Sequence, residues 1–491
     1  MSKSLGILIE NINPKAVKGN KDAEIVGITS DSRNVKPGML FVAVRGVNVD
    51  GHTFIGDAVK AGAVAVVADY EVETPENVAY VTVENSAIAL GVIASEWYDN
   101  PSRKLKLVGV TGTNGKTTIA TLIYEMARLC GYKAGLLSTV VNYVDTEAVA
   151  ATHTTPDPIE LNGLLHSMVD AGCEYVAMEV SSHAAHQHRI AGLKFAGGVF
   201  TNLTRDHLDY HKTVDAYLAA KKSFFDSLEK DAFALTNLDD KVGQVMLQNT
   251  AASKHTYSLQ KLGDYNGRIL EQRLDGTLIT FNRREVEVMF TGRFNAYNLT
   301  ALYGVSLLLG WNDEKVLLNM SKLVPVAGRF QTFTSPVIGY TAIVDYAHTP
   351  DAVKNVITTI REVIGNTGRI ITVVGAGGDR DKGKRPIMAR EAARLSDRLI
   401  LTSDNPRTEA PKAILADMEE GLDTHQLRQK TLTVTDRKEA IRVATVLAQR
   451  GDVVLVAGKG HETYQDVNGV KLHFDDREVI RDIFELEKDQ K

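Results

Sequence analysis

A chain of 491 residues with 44% hydrophobic and 24% charged side chains has the composition of a soluble globular protein and the length of about three domains. A net charge of −5 and the lack of a long basic run argue against nucleic acid as a partner, so anionic ligands must be captured by local clusters. Cys130 and Cys173 are too few for a disulfide framework, residues 1–10 lack a basic leader with an apolar core, and no apolar run approaches the ~20 residues that span a bilayer. A cytoplasmic protein with no membrane insertion is expected.

Residues 1–100 mix short β-like runs (40–44, 64–67) with a helical segment at 87–97. Asn100-Pro101-Ser102 breaks that pattern and predicts a domain boundary near 100. There follows an apolar run, Leu107-Val108-Gly109-Val110, and then Thr111-Gly112-Thr113-Asn114-Gly115-Lys116-Thr117-Thr118. This reads as a buried strand, a glycine-rich turn, and a helix over 118–129. Bare backbone N–H groups of the turn can surround phosphate oxygens, and the helix dipole points its positive end at the same anion. Lys116 would reach the outer phosphates, and the Thr117 hydroxyl would ligate Mg²⁺. The spacing departs from G-x-x-x-x-G-K-[ST], because Val110 stands five positions before Gly115. A glycine turn capping an ordinary βα unit is the plain alternative. The sequence favours a nucleoside triphosphate site.

Apolar runs at 175–180, 197–202 and 232–237 alternate with helical stretches, as in a parallel α/β sheet. Glu179 ends the first of these runs, where a carboxylate suits Mg²⁺, although a surface Glu in a βα loop would look the same. His207 lies just after the second, as a ligand or as a structural hydrogen bonder. Residues 264–292 read as antiparallel hairpins with an Asp275-Gly276 turn. A second boundary follows Gly328-Arg329-Phe330. Beyond it, runs at 342–344, 370–374, 399–401, 432–434 and 453–456 mostly end in polar or glycine-rich residues, the signature of a doubly wound sheet binding at its carboxyl edge. The expected domains are 1–100, 101–330 and 331–491.

The block 111–118 resembles the phosphate loop of the Mur ligases, ATP-dependent amide-forming enzymes of peptidoglycan precursor synthesis. Six more blocks fit the same family in order: Asp31-Ser32-Arg33, Glu179-Val180-Ser181-Ser182-His183, residues 202–209, Asn295-Ala296-Tyr297-Asn298, Asp345-Tyr346-Ala347-His348-Thr349-Pro350-Asp351, and Gly377 through Pro386. Folylpolyglutamate synthases share the loop and fold. Asp31-Ser32-Arg33 and Gly458-Lys459-Gly460-His461-Glu462 resemble instead the members that add the third residue of the stem peptide. The resemblance implies an α/β protein of three domains: a small α/β domain for the UDP end, a central P-loop parallel-sheet ATPase domain, and a Rossmann-like domain for the incoming amino acid.

The resemblance further implies the reaction. ATP phosphorylates the D-glutamyl carboxylate of UDP-N-acetylmuramoyl-L-alanyl-D-glutamate, and the amine of a diamino acid displaces phosphate. Gly112, Thr113, Asn114, Gly115, Lys116, Thr117 and Thr118 would hold ATP. Asn295 and Asn298 would contact adenine, and Arg329 and Asp345 would approach ribose and phosphate. Glu179 and His207 would hold Mg²⁺. Lys221 matches a lysine carbamylated by CO₂ and so made carboxylate-like; the Ala-Ala-Lys register favours it over Lys222. Ser30, Ser32, Arg45 and Asn48 would bind the UDP end, and Thr154, Thr155, Ser181, Gln187 and Arg189 the muramoyl dipeptide.

Asp404-Asn405-Pro406-Arg407 bears on the amino acid. In the family this form accompanies meso-diaminopimelate, whose distal carboxylate suits a two-pronged guanidinium, whereas lysine ends in an ammonium that Arg407 would repel. Arg380, Asp404, Asn405, Pro406, Gly458 and Glu462 would complete that pocket. L-lysine addition and folate polyglutamylation are the alternatives. A monomer working on small molecules is expected.

Overall fold

The computed structural model describes residues 2–489, apart from 47, 48, 73, 74, 76, 205 and 207. Asn48 and His207 therefore lie outside the described residues. Three main sheets carry the chain. The first has five strands; Gly27–Thr29, Met39–Val42, Ala65–Ala68 and Ala79–Thr82 run parallel, and Ala16–Lys18 closes one edge antiparallel. The helix Ser86–Trp97 packs on it, its start fixed by Asn85, whose side chain caps the N–H groups of Ala87 and Ile88.

The central sheet has eleven strands. Lys106–Thr111 sits between Tyr175–Glu179 and Gly197–Phe200, both parallel to it. The hairpins expected at 264–292 are present as Tyr265–Arg273, Gly276–Phe281 and Arg284–Val288, and they extend this same sheet. The parallel strands are buried on both faces, which explains their continuous apolar runs. Register aligns Glu179 with Val110 and Phe200 with Thr111, so Glu179, the glycine loop and Thr201 share one carboxyl edge.

Beside the glycine loop two element ends differ from expectation. The helix after the loop begins at Lys116, because Gly115 at φ +91° turns the chain straight into it. The strand Gly197–Phe200 stops short of Asn202, whose side chain is diverted to the loop.

The third sheet has six strands: Thr341–Asp345, Val453–Ala457, Ile370–Ala376, Arg398–Ser403 and Thr431–Thr433 run parallel, with Gln331–Thr334 antiparallel at one edge. Asp345 pairs in register with Ala457, and Ala376 with Ser403, so the loops bearing Gly458, Asp404 and Gly377 meet at one edge. Among the described residues no helix is long and apolar enough to cross a membrane.

Candidate active site

The carboxyl edges of the second and third sheets face one cleft of about 850 Å³. On one wall stand residues 113–118 with Thr154, Thr155, Glu179, Ser181, Arg189 and Lys221; on the other stand Arg380, Asp404, Asn405, Arg407, Gly458 and Glu462. Arg329 bridges them, its Nη2 donating to Thr117 Oγ1 at 3.3 Å while its guanidinium lies over the Tyr346 ring at 4.4 Å.

The glycine loop is braced from behind. Thr201 Oγ1 and Asn202 Nδ2 both donate to Asn114 O, and Asn202 Oδ1 accepts the Asn114 N–H. A Cβ on Gly112 would stand 1.8 Å from Thr201 Oγ1, so the backbone approaches as only glycine permits. Lys116 folds into its own loop, donating to Gly112 O at 3.0 Å and Thr113 O at 2.8 Å. Enclosure pushes its ammonium below the usual lysine range.

Glu179 is buried, with Oε1 accepting the Thr139 N–H at 2.8 Å. Thr139 is a wall residue that no sequence signal marked. Lys221 is also buried, donating to Gly112 O at 2.7 Å. Burial first, and the charge of Lys116 second, push its ammonium well below the lysine range, favouring the neutral amine that reacts with CO₂. Lys222 pairs instead with Asp226 at 2.5 Å.

On the opposite wall, Arg407 holds the left-handed conformation (φ +49°) and donates through Nη1 to Gly378 O at 2.6 Å. Its other guanidinium N–H groups bond to nothing among the described residues. Pro406 forms the turn beneath, its carbonyl so close to Gly378 that a Cβ there would lie 1.9 Å away. Asp404 Oδ1 accepts the Asn405 N–H, and its Oδ2 is 4.0 Å from the buried Arg437. Arg437 is in turn clamped by Asp476 through two 2.8 Å bonds. Glu462 Oε2 accepts from Asn405 Nδ2 at 2.8 Å and Lys459 Nζ at 3.0 Å.

Other expected residues do not line this cleft. Asn295 and Asn298 are buried behind the loop: Asn295 Nδ2 donates to Thr291 O, Asn298 Nδ2 to Asn295 Oδ1, and Asn298 Oδ1 packs against Gly115. Asp345 is turned inward, its oxygens accepting the N–H groups of Phe330 and Ala347. Gln187 supports Arg189 by accepting from Nε and Nη2 rather than lining the cleft. Ser30 and Ser32 stand on the first domain. So does Arg45, which lies over the Tyr70 ring and within 3.5 Å of Asp69.

The chain is similar to known proteins over nearly its whole length. Residues 24–98 match the Mur ligase family catalytic domain, 110–306 the Mur ligase middle domain, and 328–460 the Mur ligase glutamate ligase domain. UDP-N-acetylmuramoyl-L-alanyl-D-glutamate--2,6-diaminopimelate ligase of Bacteroides fragilis is 59% identical over 480 residues, covering 98% of this chain and 99% of that protein. The enzyme of the same name from Parabacteroides distasonis is 59% identical over 485 residues, again covering 98% and 99%. A solved structure of a ligase with that name aligns at a TM-score of 0.71 and 33% identity, over 99% of this chain and 100% of that one. The chain belongs to the Mur ligase family of ATP-dependent, ADP-forming amide ligases.

Proposed function

We propose that this protein joins meso-diaminopimelate to UDP-N-acetylmuramoyl-L-alanyl-D-glutamate at the expense of ATP, in peptidoglycan precursor synthesis. The observation that carries the amino acid is Arg407: a guanidinium with N–H groups unbonded among the described residues shares a cleft wall with the carboxylates of Asp404 and Glu462. That set complements a distal carbon bearing both a carboxylate and an ammonium. The relatives named for the same reaction support the reading.

The glycine loop receives the phosphates of ATP on its N–H groups and the dipole of the helix Lys116–Leu129. Lys116 would exchange its loop carbonyls for a phosphate oxygen. The D-glutamyl carboxylate oxygen attacks the γ-phosphorus, the bond to ADP breaks, and an acyl phosphate forms. The neutral amine then attacks the acyl carbon, loses a proton, and expels phosphate as the amide forms. Two anions must meet in the first step, so cationic groups set its barrier. Lys116 and Arg329 supply them from this chain.

The hard oxygens of Thr117 and Glu179 suit Mg²⁺, with His207 and a carbamylated Lys221 as further donors. Thr117 and Glu179 both line the cleft beside the glycine loop. Bound there, Mg²⁺ would neutralise charge on the phosphates. Thr154, Thr155, Ser181 and Arg189 would hold the muramoyl dipeptide, and Ser30, Ser32, Arg45 and Asn48 the UDP end.

The test is ATP-dependent phosphate release with the UDP-muramoyl dipeptide and each of diaminopimelate, L-lysine and ornithine. Release with diaminopimelate, lost in Lys116→Ala, is expected. Preference for lysine would overturn the assignment of Arg407.

A further inference from the structure

Lys459 is fully buried and does not line the cleft, yet it contacts two residues that do. Its Nζ donates to Asn405 Oδ1 at 3.0 Å and to Glu462 Oε2 at 3.0 Å, and lies 5.5 Å from the Tyr464 ring centroid. Asn405 Oδ1 also accepts the Asp466 N–H at 3.0 Å, while Asn405 Nδ2 donates to the same Glu462 oxygen at 2.8 Å. Asn405, Lys459 and Glu462 thus close a triangle. Oε2 of Glu462 is taken by two donors. Its Oε1 accepts nothing among the described residues.

A buried ammonium costs stability unless it is paired and hydrogen-bonded, and an apolar side chain of similar volume would often serve the fold as well. Here the cation meets a carboxylate of the substrate wall and fixes both its rotamer and the orientation of the Asn405 amide. We propose that Lys459 is a positioning residue for the incoming amino acid, holding Glu462 so that Oε1 alone is presented to the substrate ammonium. This rests on the diaminopimelate reading above. The two charges inside the triangle neutralise each other, so the wall accepts an ammonium without leaving an unpaired carboxylate when the cleft is empty.

The experiment is steady-state phosphate release, varying diaminopimelate and ATP separately, for the wild type, Lys459→Met, Glu462→Gln and the double variant. Lys459→Met is expected to raise KM for diaminopimelate about tenfold or more, as for a lost charged hydrogen bond, with a smaller change in kcat and an unchanged KM for ATP. In the Glu462→Gln background the same substitution should add little, because the partner through which it acts is gone. An unchanged KM for diaminopimelate, a uniform fall in every parameter, or additive single effects would overturn the proposal. If Lys459→Met does not fold, Lys459→Gln, which keeps a donor without the charge, is measured against the same criteria. A wild-type enzyme that releases no phosphate with diaminopimelate would remove the reading beneath the proposal, and that arm is read before any variant.

Discussion

Lys221 Nζ donates a 2.7 Å hydrogen bond to the carbonyl oxygen of Gly112, tying the helix Val214–Asp226 directly to the phosphate loop. The same amine lies 4.5 Å from the Tyr217 ring centroid. Among the described residues its hydrogen-bond partner is a carbonyl and its neighbour an aromatic face, while the Asp206 carboxylate acts on it through space. Burial disfavours the ammonium, and conversion to a carbamate would replace a costly cation beside Lys116 with an anion that Lys116 attracts.

This gives a first prediction. Native mass spectrometry after equilibration with CO₂, without acid, should show the mass of one added CO₂ in the wild type and in Lys222→Ala, but not in Lys221→Ala. Turnover should fall by roughly 10²–10³-fold in Lys221→Ala, the scale of losing one charge-stabilising group, and should persist in Lys222→Ala. Full activity with an unmodified Lys221 would refute the role.

Arg407 is tested best by Arg407→Asn. Asparagine tolerates the left-handed backbone that position 407 adopts, so the change removes the guanidinium while sparing the turn. Losing charge-assisted hydrogen bonds of about 1.5–3 kcal/mol should raise KM for diaminopimelate roughly ten- to hundredfold. KM for ATP should hold, and the preference over lysine should shrink. Kinetics identical to the wild type would remove Arg407 from the substrate.

These two residues also mark what the sequence makes legible. Glycines at 112 and 115 and a carboxylate closing the run 175–179 are local signals, and the fold uses each where the local pattern points. Lys221 is not such a signal: taken alone it reads as an exposed helix lysine, only the resemblance singles it out, and the fold buries it against Gly112 O. The inward turn of Asn295 and Asn298 is not local. Helical spacing puts both on one face, but only the packing of that helix against the loop decides that the face is buried. The link from Lys459 to Asn405 spans 54 positions, and the clamp of Arg437 by Asp476 spans 39; both depend on how strands and helices dock. A carbonyl or N–H partner, such as Thr139 for Glu179, leaves no mark in residue type at all.

Glu409 gives a pH-dependent test of the loop that carries Arg380 and Arg407. Bonds from the buried Arg385, with the Asp379 N–H, hold its carboxyl down at about 2 against an ordinary 4.5. A carboxylate whose pKa is lower folded than unfolded contributes stability that is complete above the unfolded value and is lost as pH falls through the folded one. Glu409→Gln should therefore melt below the wild type at neutral pH. The gap should narrow as pH drops under about 4.5 and close near 2. Melting curves whose separation is independent of pH would show that the charge of Glu409 is not what ties Asp379 and Arg385 together.

At Gly458 the backbone presses against a carboxylate of the substrate wall. It adopts φ +119°, and a Cβ there would lie 2.5 Å from Asp404 Oδ2. Its N–H also donates to Asp345 O, so the turn cannot slide away without breaking a bond that continues the pairing of two neighbouring strands. In Gly458→Ala the backbone conformation alone costs about 1–3 kcal/mol. The methyl must then displace the Asp404 carboxylate, which loses its place 4.0 Å from Arg437. Two readouts separate these effects. Strain alone lowers the melting temperature and leaves the kinetics of the folded fraction intact. Displacement of Asp404 also raises KM for diaminopimelate, while KM for ATP stays fixed because the glycine loop lies on the other wall. The second pattern is expected; a lowered melting temperature with an unchanged KM for diaminopimelate would show that Asp404 does not touch the amino acid.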